Sequence, residues 1–236
     1  CAPVDLIALL ERALKTRAMV LDNRRMRRLV ETGDPAARML FGASKLAEGL
    51  RKRVRLVAQV EGAALVTGAP GTGISKVAEV VHLSSARSKA PFVKRAAAGL
   101  SAQDLQDALS EGVGGSLFIN QITQLSPQLQ LTLAEAVDGE SETRLIAGST
   151  RNLAIEAENE RFNADLYFRL DVLTVRIPSL AERPEDIPVM FRRYVDQAAE
   201  QAGLTPPDIT PEVISGLMAR DWPGNARALM SAAMRF

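Results

Sequence analysis

The spacing of apolar residues divides the chain into a long first helix, a region of alternating strands and helices, and a helical end. Apolar residues recur every three or four positions through residues 4–31, which predicts an amphipathic helix. Short apolar runs then alternate with helical stretches, and this alternation predicts a parallel α/β sheet. The predicted helices cover 44–59, 74–83, 101–110, 127–137, 160–170, 185–202 and 211–220, and the predicted strands cover 63–67, 91–94, 117–119, 143–148 and 172–178.

These elements predict a linker helix followed by the two parts of one larger unit. The sequence Gly-Asp-Pro at 33–35 ends the first helix, so residues 1–34 are predicted to form a linker, or the end of a preceding domain. Residues 35–178 are predicted to form an α/β subdomain and residues 179–236 a small all-helical subdomain. The apolar stripe of helix 4–31 needs a partner, either a second subunit or the core of this chain.

Composition excludes several classes of protein. The single cysteine among 236 residues excludes a disulfide framework and favours a reducing compartment, so we expect a cytoplasmic protein. No run of eighteen apolar residues is present, so we expect no membrane span. The first residue is not methionine, which suggests a piece of a longer chain or a processed one. Residues 1–60 carry 13 Lys and Arg against 6 Asp and Glu, which we interpret as a solvated helix face rather than a nucleic-acid contact.

The stretch LVTGAPGTGISK, residues 65–76, carries the main chemical signal. It joins a predicted strand to a predicted helix, and Gly68, Gly71 and Gly73 allow backbone N–H groups to converge on an anion. The eight residues from Gly68 match the phosphate-loop pattern G-x-x-x-x-G-K-[ST], except that Ile74 stands in the lysine position. Isoleucine offers terminal phosphates neither a charge nor a donor. The sequence therefore predicts a nucleotide-binding fold that has lost its hydrolytic chemistry.

Other basic side chains nearby are candidates to replace that lysine. Lys76 lies two residues further along the helix, which turns it about 200° away, so we do not expect it to act in place of lysine at 74. Arg95 is the second candidate. His82 is the only histidine and has no cysteine close in sequence, so we predict a surface or capping role and no metal site.

The strand predicted at 117–119 leads into two amides, Asn120 and Gln121. In a P-loop ATPase the corresponding strand ends in acids that hold Mg²⁺ and polarise the attacking water. Amides keep the shape of those acids but lose their charge and basicity. A core strand that simply ends in a polar turn explains these two residues equally well when they are taken alone. Together with Ile74, they predict a neutralised site.

Seven segments, in order across residues 44–236, resemble the central AAA+ domain of bacterial sigma-54-dependent activators of the NtrC/DctD type. Residues 4–31 also resemble the linker helix that follows the receiver domain of response regulators. The resemblance implies a P-loop AAA+ fold with a helical lid, in a transcription regulator of a two-component system. The segments are LVTGAPGTGIS, APFVKRAAAGL, GGSLFINQI, QLQLTLAEAV, RLIAGSTRNL, RFNADLYFRLDVLTVRIPSLAERPEDIP and DWPGNARAL.

The resemblance implies that most nucleotide-binding positions are retained while the catalytic positions are substituted. The substituted positions correspond to the family's phosphate-loop lysine, acidic pair, sensor asparagine and one of two arginines that reach the neighbouring subunit. The retained positions are Gly68, Gly71, Thr72, Gly73, Ser75 and Arg227, with Arg169 as the subunit-contact arginine, and the substituted positions are Ile74, Asn120, Gln121, Thr150 and Asn163.

The expected function follows from these losses. The family's GAFTGA loop, which contacts sigma-54, has no counterpart in residues 101–113, so we expect no contact with sigma-54 polymerase. We expect severely weakened or absent ATP hydrolysis and an oligomer, either a ring or a dimer through helix 4–31, that acts as a scaffold. Weak ATP or ADP binding with little need for Mg²⁺ and no binding at all both stay open. The alternatives are a weakly active ATPase and a nucleotide-free dimerisation module; DNA binding is expected only through a domain outside this chain.

Overall fold

The computed structural model describes residues 33–138 and 142–236, so the predicted helix 4–31 lies outside the described residues. Short helices and strands alternate along the first described part, and helices alone follow the last strand. The strands are β1 (Ala64–Gly68), β2 (Phe92–Ala96), β3 (Ser116–Asn120), β4 (Arg144–Ser149) and β5 (Thr174–Ile177), and the helices are α1 (Pro35–Met39), α2 (Lys45–Gln59), α3 (Ile74–Leu83), α4 (Ala102–Glu111), α5 (Pro127–Asp138), α6 (Leu153–Glu158), α7 (Ala164–Asp171), α8 (Ile187–Ala202), α9 (Pro211–Met218) and α10 (Asn225–Ala233).

The five strands form one parallel sheet in the order β2-β3-β4-β1-β5. β1 lies between β4 and β5, and Asn120 at the end of β3 pairs with Gly148 on β4. All carboxyl ends therefore meet at one edge of the sheet, the edge at which parallel α/β sheets bind ligands.

Apolar residues cover both faces of the sheet, as a parallel sheet requires. Successive side chains of a strand point to opposite faces, and the neighbours Leu65 and Val66 accordingly belong to two different buried clusters. In β3, Leu117 and Ile119 join the cluster of Leu65, whereas Phe118 joins that of Val66. This double burial holds the ends of β1, β3 and β4 in fixed relative positions.

Helices α8 to α10 form the helical end of the chain around a third buried cluster, which includes Leu180, Phe191 and Leu229. Asp186, which is fully buried, connects this part to the start of α2. Its Oδ1 accepts a hydrogen bond of 2.7 Å from the backbone N–H of Ser44, and its Oδ2 accepts one of 2.6 Å from Oγ of the same residue. Within the described part of the chain, no helix is both long enough and apolar enough to cross a bilayer.

Two sequence predictions are wrong. The helix predicted to begin at residue 160 begins only at Ala164 as α7, because Glu160 takes a φ of 56° and Asn163 caps α7 by accepting a hydrogen bond of 2.8 Å from the N–H of Leu166. His82 is not at the surface but 2% exposed. Its Nδ1 lies 3.0 Å from Oγ of Ser116, and its ring stacks on Phe92 at 4.9 Å.

Candidate functional site

A cavity of about 650 Å³ lies at the carboxyl edge of the sheet, between the loop after β1 and helices α8 and α10. Its volume is in the usual range for small-molecule and cofactor sites. Gly68 lies at the base of the loop, outside the lining, and the lining does not include Asn163 or Arg169. The predicted site residues that line the cavity are Gly71, Thr72, Gly73, Ile74, Ser75, Asn120, Gln121, Thr150 and Arg227.

The loop after β1 has the geometry of an anion cradle. Gly71 and Gly73 take φ values of 80° and 99°, which L side chains rarely adopt. The loop is closed by Thr72, whose Oγ1 donates a hydrogen bond of 2.8 Å to the carbonyl of Ala69. Helix α3 begins at Ile74 without a side-chain cap. Its first backbone N–H groups have no intrahelical partner, and since these residues line the cavity they can serve as donors for a ligand.

Ile74 has become part of the apolar core. Its side chain is 7% exposed and belongs to the buried cluster that includes Val66 and Phe118. The packing against β4 is tight, since a Cβ on Gly148 would lie 2.8 Å from Cγ2 of Ile74 and 2.9 Å from Phe118. The position that holds a cation in the phosphate-loop pattern is therefore filled by hydrocarbon.

The two candidates to replace the lysine have other partners. Nζ of Lys76 lies 3.9 Å from the carboxylate of Glu79, and its side chain is 51% exposed, although the residue lines the rim of the cavity. The guanidinium of Arg95 lies 2.7 Å from the carboxylate of Glu111, away from the cavity lining. Neither cation occupies the position of the missing lysine.

The ends of β3 and β4 present neutral polar groups to the cavity. Asn120 and Gln121 are half-buried, and Gln121 takes a left-handed backbone conformation with a φ of 56°. Oγ1 of Thr150 donates a hydrogen bond of 3.1 Å to Oε1 of Gln121. The bond sets which way the amide of Gln121 faces, and its Nε2 group, which carries both amide hydrogens, is the donor that it can offer a ligand.

The helical end of the chain contacts the cradle directly. The backbone N–H of Arg227 donates a hydrogen bond of 3.0 Å to the carbonyl of Gly71, and Nδ2 of Asn225 donates one of 2.9 Å to the carbonyl of Pro70. Asn225 also accepts a bond of 2.9 Å from the N–H of Leu180. A Cβ on Gly71 would collide with the carbonyl of Gly224, so this approach requires glycine.

Sequence reasoning missed Asn225 and the apolar wall of the cavity. The wall includes Phe41 and Tyr194, whose ring centroids are 5.9 Å apart, together with Met190 and Met230. Burial raises the pKa of Tyr194, which therefore stays neutral at physiological pH. Such a wall suits the flat, apolar part of a ligand, next to a cradle that suits its anionic part. The position of Asn225 in the segment DWPGNARAL is the one local signal that could have identified it.

The lining fits a nucleotide anion but does not fit Mg²⁺. The cradle supplies backbone donors, and Arg227 supplies a positive charge. Magnesium is usually held by one or two carboxylates in addition to phosphates. Over residues 33–138 and 142–236, no Asp or Glu lines the cavity, and no group of three His, Cys, Asp or Glu residues is placed to hold a metal.

Comparison with known proteins places the chain in a family. Residues 41–180 match the family described as Sigma-54 interaction domain, and residues 181–236 match the family described as AAA+ ATPase lid domain. The C4-dicarboxylate transport transcriptional regulatory protein DctD of Pseudomonas aeruginosa is 33% identical over 95% of this chain and 55% of its own length. ZraR of Escherichia coli K12 is 33% identical over 83% of this chain and 52% of its own length. The chain thus spans about half the length of these curated relatives.

Solved structures support the same assignment. The crystal structure of NtrX from Brucella abortus in complex with ATP has a TM-score of 0.77 and 29% identity, covering 100% of this chain and 56% of that one. The RuvB motor of Thermotoga maritima, at 16% identity and a TM-score of 0.59 over 83% of this chain and 61% of that one, shares the fold alone. The predicted α/β class, with a parallel sheet and a helical lid, is therefore confirmed. The chain belongs to the Sigma-54 interaction domain family, and an AAA+ ATPase lid domain follows the matched region.

Proposed function

We propose that this AAA+ domain binds ATP or ADP weakly, does not hydrolyse ATP at a significant rate, and acts as an oligomerising scaffold in transcription regulation. One observation carries the proposal: the cavity keeps the anion cradle and Arg227, while Ile74 is packed in the core where the lysine is expected. The retained groups can hold a phosphate chain, but the substituted ones cannot stabilise the charge that develops during phosphoryl transfer.

Amides in place of the acids add a second loss at the same site. Neither Asn120 nor Gln121 can accept a proton from an attacking water, because a neutral amide is a very weak base. Losing a single electrostatic stabiliser commonly lowers turnover by about 10²–10³, and such losses are not additive. With several groups replaced together, we expect turnover close to the uncatalysed rate.

Contacts beyond the nucleotide site are part of the same proposal. Residues 97–115, between β2 and β3, contain the short helix α4 and no long insertion, which supports the absence of a sigma-54-binding loop. We propose that the protein assembles as a ring or as a dimer through helix 4–31, in the cytoplasm. DNA contact is assigned to a domain outside this chain.

Calorimetry and phosphate release on the same sample test the proposal. We expect measurable heat of ATP or ADP binding and no phosphate release above background. Arg227→Ala should weaken binding by about tenfold or more, since a hydrogen bond to a charged group contributes about 1.5–3 kcal/mol. The matched control is Arg220→Ala, whose guanidinium stacks on Trp222 at 5.2 Å instead of lining the cavity.

A weakly active ATPase is the competing function. It requires Lys76 or Arg95 to take the place of the lost lysine. Mg²⁺-dependent phosphate release above background that Lys76→Ala or Arg95→Ala abolishes would establish that function and reject ours. Absence of any nucleotide binding would leave the nucleotide-free dimerisation module, which removal of residues 1–34 tests through the mass measured by light scattering.

A further inference from the structure

The charges around the cavity are of one sign. Lys76, Arg183 and Arg227 line it, and within the described ranges no carboxylate does. Arg183 is paired with buried Asp186, 3.5 Å away, and Lys76 at the rim is paired with Glu79, 3.9 Å away, which leaves Arg227 next to the cradle as the cation that faces a ligand. An anionic ligand therefore meets a positive charge in the cavity and, among the described lining residues, no carboxylate that would hold a cation.

The neutral groups at the strand ends reinforce this preference. An acid repels a bare phosphate and needs a metal ion between the two, whereas an amide donates hydrogen bonds to phosphate directly. Oε1 of Gln121 accepts a hydrogen bond of 3.1 Å from Oγ1 of Thr150. The Nε2 group of Gln121 is therefore the donor that this side chain can offer a phosphate. Ser75 also lines the cavity, and its hydroxyl is the Mg²⁺ ligand of the phosphate-loop pattern that this chain keeps. One hydroxyl and two amides give Mg²⁺ no carboxylate, whereas the amide N–H groups match a phosphate without metal.

We propose that this site takes ATP or ADP in the metal-free form, and that Mg²⁺ weakens the binding. The inference rests on the proposed function, since it names the form of the nucleotide that the same cavity selects. Mg²⁺ reduces the charge of the nucleotide by two units and covers phosphate oxygens that the cradle would otherwise contact. Mg²⁺ and the protein therefore compete for the nucleotide. Other P-loop sites behave in the opposite way, because they bind the nucleotide together with Mg²⁺.

The competition has a defined form. If the protein binds the metal-free nucleotide alone, the apparent Kd rises in proportion to free Mg²⁺ once the metal exceeds its own dissociation constant for the nucleotide. A tenfold increase in free Mg²⁺ then raises the apparent Kd about tenfold, equivalent to about 1.4 kcal/mol. The effect begins at lower Mg²⁺ with ATP than with ADP, because the triphosphate holds the metal more tightly.

The decisive experiment is a calorimetric titration of the 236-residue chain with ATP and with ADP, first in EDTA and then across a series of Mg²⁺ concentrations. Potassium chloride keeps the ionic strength constant, because salt alone screens the attraction between Arg227 and phosphate. We expect the tightest binding in EDTA and a steady loss with Mg²⁺. Binding that Mg²⁺ strengthens or leaves unchanged overturns this inference, while nucleotide binding itself stands.

The variant Asn120→Asp/Gln121→Glu tests whether the neutral amides at the strand ends cause the preference for metal-free nucleotide. It returns two acids to the strand ends, so we expect at least tenfold weaker binding in EDTA and an improvement when Mg²⁺ is added. The matched control, Gln106→Glu/Asn159→Asp, adds the same charge at exposed positions outside the lining and should follow the wild type. If the double variant does not fold, the titration of the wild type decides alone; no binding in any buffer overturns the proposed nucleotide binding and this inference together.

Discussion

Oγ1 of Thr150, which follows β4, donates a hydrogen bond of 3.1 Å to Oε1 of Gln121, which follows β3. The two strands are neighbours in the sheet, so the bond joins positions that are 29 residues apart in the chain. The resemblance to sigma-54 activators treats these positions as two separate substitutions. In the structure they form one neutral, hydrogen-bonded unit.

Removing the hydroxyl of Thr150 should lower stability only slightly but should weaken nucleotide binding. For Thr150→Val we expect a loss of about 1 kcal/mol in the free energy of unfolding, because a half-buried neutral hydrogen bond is removed. Gln121 then loses the contact that orients its amide, and nucleotide binding should weaken in EDTA. Urea denaturation and calorimetry measure the two effects. Thr132→Val, which removes a similar hydroxyl from the exposed side of α5, should leave binding intact.

Ile74 should behave as a core residue. For Ile74→Ala we expect the free energy of unfolding to fall by about 2–4 kcal/mol, since the change leaves a cavity beside Gly148 and Phe118. Chemical denaturation measures this loss. The same substitution at Ile155, whose side chain is 49% exposed, should cost less than about 0.5 kcal/mol. Equal losses at both positions would contradict the assignment of Ile74 to the core.

Asn225 should hold the lid against the phosphate loop. Asn225→Ala leaves the carbonyl of Pro70 and the N–H of Leu180 without this partner, and each group left unsatisfied costs about 1–3 kcal/mol. We expect a lower thermal midpoint and faster proteolysis between β5 and α8. Because Asn225 has a φ of 49°, Asn225→Gly serves as a second variant that relieves the backbone and still removes the side chain. Asn159→Ala is the matched control, because it makes the same change at an exposed helix end and should leave the thermal midpoint nearly unchanged.

Acid should destabilise the fold through His82. Burial lowers the pKa of His82 below its usual 6.5. The unfolded chain therefore takes up a proton as the pH falls through 6.5, whereas the folded chain does so only at lower pH, and stability is lost over that window by up to about 1.4 kcal/mol per pH unit. Denaturation between pH 7 and pH 5 measures the slope. His82→Gln should flatten it, whereas Ser116→Ala keeps the histidine and should keep the slope; an unchanged slope in His82→Gln would reject this explanation.

Much of the fold was predictable because it depends on local patterns. Apolar runs located all five strands to within two residues, since a strand buried on both faces needs a continuous apolar segment. The break between α6 and α7 was not predictable in this way. There the backbone N–H groups of Arg161 and Phe162 both bond to the carbonyl of Glu156, and no glycine or proline marks the turn.

The candidate site was predictable on the sheet side and not on the lid side. The loop glycines and the strand ends are recognised from short motifs, and the structure brings them to one cavity. The bond between Asn225 and Pro70 spans 155 residues, so no local pattern could reveal it. His82 was missed because a polar residue was expected to be exposed. Its spacing of four from Ala78 and eight from Ile74, two apolar residues of the predicted helix, was the signal that it faces inward.

The packing of Ile74 also limits the ways in which this lineage can change. A single substitution to lysine would replace the branched side chain that packs beside Gly148 and Phe118, and its ammonium group would extend into the cavity, whose described lining offers no carboxylate to pair with it. Such a chain would lose stability before it gained any turnover, because the acids that complete the chemistry would still be amides. Under the proposed function, rapid turnover would need changes at Ile74, Asn120 and Gln121 together, so the packing of one isoleucine makes any single step towards hydrolysis costly in stability.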